Sequence, residues 1–244
     1  MELIGLVLLL LLLPALFFLA SRVRAGKTGE LRPLPGVEEL PGSVGRSAET
    51  GQPLHVSVGV AGIAGSATAE TWAGLAILDE LANEAAACDT PLVVTVADPT
   101  VLPVAQDILQ RAYLRHGNPE GYQPTQVRFM ASFPLAYAAS VAGVLEREPL
   151  TANIMVGSFG DEYLLMGEVG ARRGLHQIAG AANPRVLPFV YATADEPLVG
   201  EEIFAGSAYL TRGPIQVASL LAEDWARWAI LVVTLGLVVL RILL

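Results

Sequence analysis

The pattern of apolar and polar positions divides the chain into three parts. Leu3 to Ala20 is a run of 18 uncharged residues, mostly Leu, and Trp228 to Leu244 is a run of 17 with one charge, Arg241. A bilayer core about 30 Å thick takes roughly 20 helical residues at about 1.5 Å each. The first run nearly spans, and the second spans if its helix begins earlier or Arg241 snorkels to the interface. The expected organisation is a transmembrane helix over 1–21, a Pro/Gly-rich linker over 22–53, an α/β domain over 54–212, and a helix over 213–244 that continues into a second span. Between the ends, short Val-rich runs alternate with longer amphipathic ones. The runs 55–61, 92–97, 127–131, 153–158 and 186–192 are expected to be strands, the last at an edge because of Pro188. Residues 68–87, 99–116, 134–145, 161–178 and 199–210 are expected to be helices. The first of these carries its apolar residues at Trp72, Leu75, Ala76, Ile77, Leu78 and Leu81. In the second, Arg111 and Arg115 sit in the last turns and Gly117 stops the chain. Such alternation predicts a Rossmann-like α/β fold, a parallel sheet of about five strands with helices on both faces. Pro214 opens a final helix running to the end of the chain. Gly26, Pro33, Pro35, Gly36, Pro41, Gly42, Gly45, Gly51 and Pro53 make Ala25 to Pro53 read as an extended linker or strap.

Charge placement assigns a direction to the two apolar ends. Arg22, Arg24 and Lys27 follow the first run, and only Glu2 precedes it, the opposite polarity to a secretory signal. An uncleaved segment is therefore expected, with the central domain cytoplasmic and both termini outside. Arg227 agrees, Arg241 partly offsets it, and Trp225 and Trp228 are interface anchors. Pro14 bends the first span, a kink that lipid tolerates. Neither run carries an ionisable group near its middle, so neither offers a transport or proton path.

Composition narrows the function classes. The chain is 53% hydrophobic with 24 Gly and 16 Pro, and its mean hydropathy is +0.52. From 51 to 225 there are 19 Asp/Glu against 8 Arg and no Lys, a net of −11. That balance argues against nucleic acid as a partner and against the domain lying flat on anionic lipid. Cys88 stands alone, so neither a disulfide framework nor a cysteine metal site is expected, and an unpaired thiol suits a reducing compartment. His55, His116 and His176 are widely separated. No metal, no cofactor and no catalytic residue is assigned.

Two turns are ligand candidates. Gly59, Gly62, Gly65 and Ser66 lie between the first strand and first helix, where glycines let backbone amides approach a phosphate at a helix N-terminus. The spacing is not the dinucleotide fingerprint, no Walker Lys follows, and Asp98 lies 36 residues past Gly62 rather than about 20. The alternative is a tight turn with Ser66 or Thr68 as helix cap. Gly157, Ser158, Gly160 and Asp161 follow the fourth strand, on the side where open α/β sheets bind ligands. Ser158 is placed for a nucleophile, but no Gly-x-Ser-x-Gly elbow frames it; the alternative is Ser158 as a helix cap with Asp161 and Glu162 favouring the dipole. Asp98, Asp161, Asp195 and Glu196 all follow expected strands, and a convergence of the four on one rim would suit a divalent cation.

The stretches Gly200-Glu-Glu-Ile-Phe-Ala-Gly-Ser-Ala-Tyr-Leu210 and Ala218-Ser-Leu-Leu-Ala-Glu-Asp-Trp-Ala-Arg-Trp228 resemble a family of uncharacterised bacterial membrane proteins. That resemblance implies a cytoplasmic α/β region with terminal spans and transfers no activity. Two function classes follow. One is a membrane-anchored, non-enzymatic scaffold or accessory subunit that self-assembles, its partners being the bilayer, further copies and other membrane proteins. Its support is the scarcity of charge in the domain and the small residues crowding Ala85–Ala87, Ala138–Ala139 and Ala179–Ala182. The other is a nucleotide- or small-ligand-binding domain, enzymatic or not, using the Gly-rich turn.

Overall fold

The computed structural model describes residues 33–211 and, outside that block, the single positions Ser21, Arg227, Leu231, Thr234 and Leu235. The chain divides into two compact units, Pro33–Leu210 and the two ends taken together, Met1–Arg32 with Thr211–Leu244. Apart from those single positions, both apolar runs and the expected final helix fall outside the described residues. No described helix is long and apolar enough to cross a membrane.

In the larger unit, six strands form one sheet: β1 (Leu54–Gly59), β2 (Leu92–Val96), β3 (Val127–Phe129), β4 (Ala152–Ser158), β5 (His176–Ala181) and β6 (Glu196–Val199). Their order is β3-β2-β1-β4-β5-β6 and every neighbouring pair is parallel. Seven helices cover it: α1 (Pro35–Thr50), α2 (Thr68–Ala87), α3 (Val101–Arg115), α4 (Pro134–Arg147), α5 (Tyr163–Arg172), α6 (Leu187–Thr193) and α7 (Glu202–Thr211). The α/β fold is thus as expected, with one strand more.

The chain winds outward from β1 to β3, returns to β4 beside β1, and winds outward the other way. Right-handed crossovers then put α2 and α3 on one face and α4, α5 and α6 on the other. The second face holds a cluster in which Val93, Met155 and Ala179 of the strands meet Tyr137, Val141 and Leu145 of α4 and Tyr163 and Met166 of α5. All of β1 and β2 is buried, the mark of a parallel sheet covered on both sides. On α2, Leu75, Leu78 and Leu81 are buried as the stripe required, but Trp72 is 49% exposed.

Three segments differ from the sequence expectation. Residues 35–50, read as part of a linker, form α1. Pro35 takes the first helical position, where its missing N–H costs nothing, and Val37, Leu40, Val44 and Ser47 form a buried stripe. The glycines and prolines that suggested a strap lie largely off that stripe, and Gly51 ends the helix at φ 68. Residues 186–192, expected as an edge strand, are helical across Leu187–Thr193, with Pro188 in the first turn. The fifth strand lies earlier, at His176–Ala181, in what was read as the tail of a helix. That helix ends at Arg172, and Gly174 at φ 69 turns the chain. Ala and Gly in β5 gave no β-propensity; burial between helix layers makes it a strand.

Candidate functional site

The strand order reverses its direction of travel between β1 and β4. A crevice outside the carboxyl ends of those two strands is where open α/β sheets accommodate ligands. Two facing glycines stand at that end of β1 and β4. Gly59 has φ +96, and a Cβ there would lie 2.3 Å from the Ser158 carbonyl oxygen; one on Gly157 would lie 2.1 Å from that of Val58. No side chain fits at either position. The pairing shifts register between Ser57 and Gly59, and Val60 N–H donates to the Ser158 carbonyl at 2.8 Å. Ser158 is therefore the half-buried last residue of β4 rather than a helix cap.

The turn after β1 is held by the turn after β2. Asp98 Oδ1 accepts from the Thr100 backbone N–H at 2.8 Å and from its hydroxyl. Thr100 Oγ1 accepts from Ile63 N–H at 3.3 Å. A Cβ on Gly62 would lie 2.7 Å from the Asp98 carboxyl carbon, so Gly62 is glycine because a carboxylate rests on it. Gly65 and Ser66 are exposed. Neither Ser66 nor Thr68 caps α2, whose N-cap position is Ala67; the Thr68 hydroxyl instead donates to the Gly65 carbonyl at 2.8 Å. After β4, Glu162 Oε1 accepts from Gly160 N–H at 2.6 Å, and Asp161 is exposed. The backbone amides of Thr100 and Gly160 are each taken by a carboxylate of this chain. An incoming phosphate would meet those negative charges, whereas a neutral or cationic group would not.

The four acids at strand ends, whose convergence the sequence left open, do not share one rim. Asp98 and Asp161 follow β2 and β4 at the carboxyl edge. Asp195 Oδ2 accepts from Gln177 N–H at 2.8 Å, and Glu196 is the first residue of β6. Both therefore lie at the opposite, amino edge. The cause is the exchange of strand and helix above: Asp195 precedes a strand instead of following one. Among the described residues no three His, Cys, Asp or Glu side chains gather to hold a metal ion.

Sequence reasoning missed a chain of fully buried polar side chains across the middle of the sheet. Gln177 Nε2 donates to the carbonyls of Gly167 (2.9 Å) and Thr193 (2.6 Å). Its Oε1 must then accept from Asn153 Nδ2 at 2.7 Å, which leaves Asn153 Oδ1 to accept from His55 Nδ1–H at 2.7 Å. His55 Nε2 is left bare and accepts from Thr95 Oγ1 at 2.9 Å. Tyr137 donates on to Thr95 and accepts from the Ser57 hydroxyl at 2.7 Å. Two backbone carbonyls thus orient every proton up to Ser57, two residues before Gly59. Burial pushes the His55 pKa down to about 4, against the Asn153 hydrogen bond, and pushes the Tyr137 phenol up to about 12. The signal in the sequence was polar residues at alternate positions of otherwise apolar strands: His55 and Ser57, Thr95, Asn153, Gln177.

A third feature is an open cavity of about 390 Å³ at the amino edge, bordered by Pro53, Leu92, Tyr113, Gln126 and the Arg128–Glu148 ion pair. Arg128 and Glu148 on its wall are matched to each other, and Asp89, also on the wall, accepts from Asn118 Nδ2 at 3.3 Å.

No curated protein and no solved structure matches the chain. The whole of it, residues 1–244, matches the family described as a domain of unknown function (DUF6754), and to that family the chain belongs.

Proposed function

We propose that this chain is a membrane-anchored, non-enzymatic scaffold or accessory subunit that self-assembles through its α/β domain. In this reading the apolar ends hold an acidic domain on the cytoplasmic side of a cell membrane. The observation that carries it is the set of exposed large apolar side chains at the carboxyl edge: Phe133 is 68% exposed and Leu135 58%, and Phe129, at the end of β3, and Leu164 and Leu165, at the start of α5, are exposed at the same edge. Full exposure of such side chains is unfavourable by about 1.5–3 kcal/mol each, and contiguous apolar surface marks interaction sites. Two anchored ends also raise the effective concentration of neighbouring copies, so modest contacts suffice. Light scattering of the full chain in mild detergent tests the reading. An oligomer is expected, and a monomer at every concentration overturns it.

A second reading, a nucleotide- or small-ligand-binding domain at the β1–β4 crevice, is favoured by the strand order alone. Thermal unfolding of the full chain with a panel of nucleotides and neutral metabolites tests it. A saturable stabilisation that Gly62→Val abolishes would bring this reading forward.

A further inference from the structure

We infer that the self-assembly surface is the outer face of α4 and α5, and that its occupant is a second copy of this chain packed antiparallel about a two-fold axis through the middle of α4. The inference rests on the self-assembly reading above and names its surface. Residues 129–145 form a run of 17 without a single charge in an acidic domain. On α4 that run exposes Phe133, Leu135, Ala136 and Ala139 to solvent. Leu164 and Leu165 extend the patch onto the first turn of α5, which packs beside α4. Two copies of an acidic domain repel over most of their surfaces, and here they meet without that repulsion. Alanine at positions 136 and 139 lets two helix backbones come close.

Charge at the ends of the patch selects a second copy over other occupants. The amino end of α5 carries exposed Asp161, and the carboxyl end carries exposed Arg173. Neither side chain makes an ion pair among the described residues, whereas Arg172 is held by Glu146 at 3.3 Å. An antiparallel two-fold brings Asp161 of each copy toward the partner's Arg173 and makes the face complementary to itself.

The test uses the full chain in mild detergent with Cys88 replaced by Ser. Ala139→Cys should form an intermolecular disulfide under mild oxidation, and Cys introduced at exposed Glu49 on α1 should not. Asp161→Arg and Arg173→Asp should each lower the oligomer mass at a given concentration, and the double charge swap should restore it. If the chain is oligomeric yet Ala139→Cys fails to cross-link, or both single swaps leave the mass unchanged, this surface is wrong and the assembly reading survives. If the unmodified chain is monomeric throughout, the assembly reading fails and this inference falls with it.

Discussion

At the scale of single residues, the buried polar chain is the feature with the largest energetic stake. Asn153 is the link between His55 and Gln177, and all three side chains are fully buried. Asn153→Ala strands the His55 Nδ1–H and the Gln177 Oε1 together. An unsatisfied buried group costs about 1–3 kcal/mol, so a loss of roughly 2–6 kcal/mol is expected in chemical unfolding; a change under about 1 kcal/mol would show that water replaces the amide. His55 also sets a pH dependence. Its folded pKa, about 4, lies below the ordinary 6.5, so between those values the unfolded chain binds a proton that the folded chain does not. Stability is then complete above pH 6.5 and falls as pH drops toward 4, by on the order of 3 kcal/mol. Unfolding curves from pH 7 to pH 4 should show that slope, and His55→Asn should flatten it relative to the unmodified chain. Tyr137 acts at the other extreme: its raised pKa means stability is lost as pH rises from 10 to about 12.

At the scale of elements, two helical glycines separate helix propensity from packing. Gly74 lies where α2 crosses the sheet, and a Cβ there would stand 2.3 Å from the Val156 carbonyl oxygen. Gly74→Ala must push α2 away from β1 and β4, and a loss of about 1–3 kcal/mol is expected. Gly45 is exposed on α1 with nothing within 4 Å of its Cβ position. Gly45→Ala should therefore gain about 0.5–1 kcal/mol from lower unfolded-state entropy and better helix propensity. Thermal unfolding of both variants should give shifts of opposite sign. If Gly45→Ala destabilises, residues 35–50 are not helical in the protein.

At the scale of the whole molecule, the proposed anchoring makes a prediction about topology. The cluster Arg22, Arg24 and Lys27 motivates a cytoplasmic domain with both termini outside. Cys88 is exposed and would itself react with a thiol reagent, so it is first replaced by Ser. In intact cells an impermeant reagent should then label Cys at Glu2 and spare Cys at Gly45, a position with room for the new side chain. The reverse pattern would put the domain outside and remove the basis for the assigned topology.

Some of this was open to the sequence alone. Hydrophobic period is a local property, so α2, whose stripe recurs at helical spacing, is legible from end to end, a continuous Val-rich run marks β2, and short runs carrying Val or Ile mark β1 and β4. The glycines at 59 and 157 are visible as ligand-turn candidates, but what demands them is the close approach of β1 and β4, where each Cβ would meet a carbonyl of the other strand. Tertiary structure decided the rest, wherever the deciding contact came from a distant part of the chain. β5 is a strand because helices cover both faces of the sheet beside β4, although its Ala and Gly carry no such preference. α1 is a helix because Val37, Leu40 and Val44 find a core to enter, against the weight of its prolines and glycines. Asp98 is held in a clamp with Thr100 over Gly62, and Asp195 is carried to the far edge, by a strand order that no local pattern encodes. The buried chain from Gln177 to Ser57 exists only when four strands stand in register, since each polar group costs free energy until its neighbour in space, not in sequence, satisfies it.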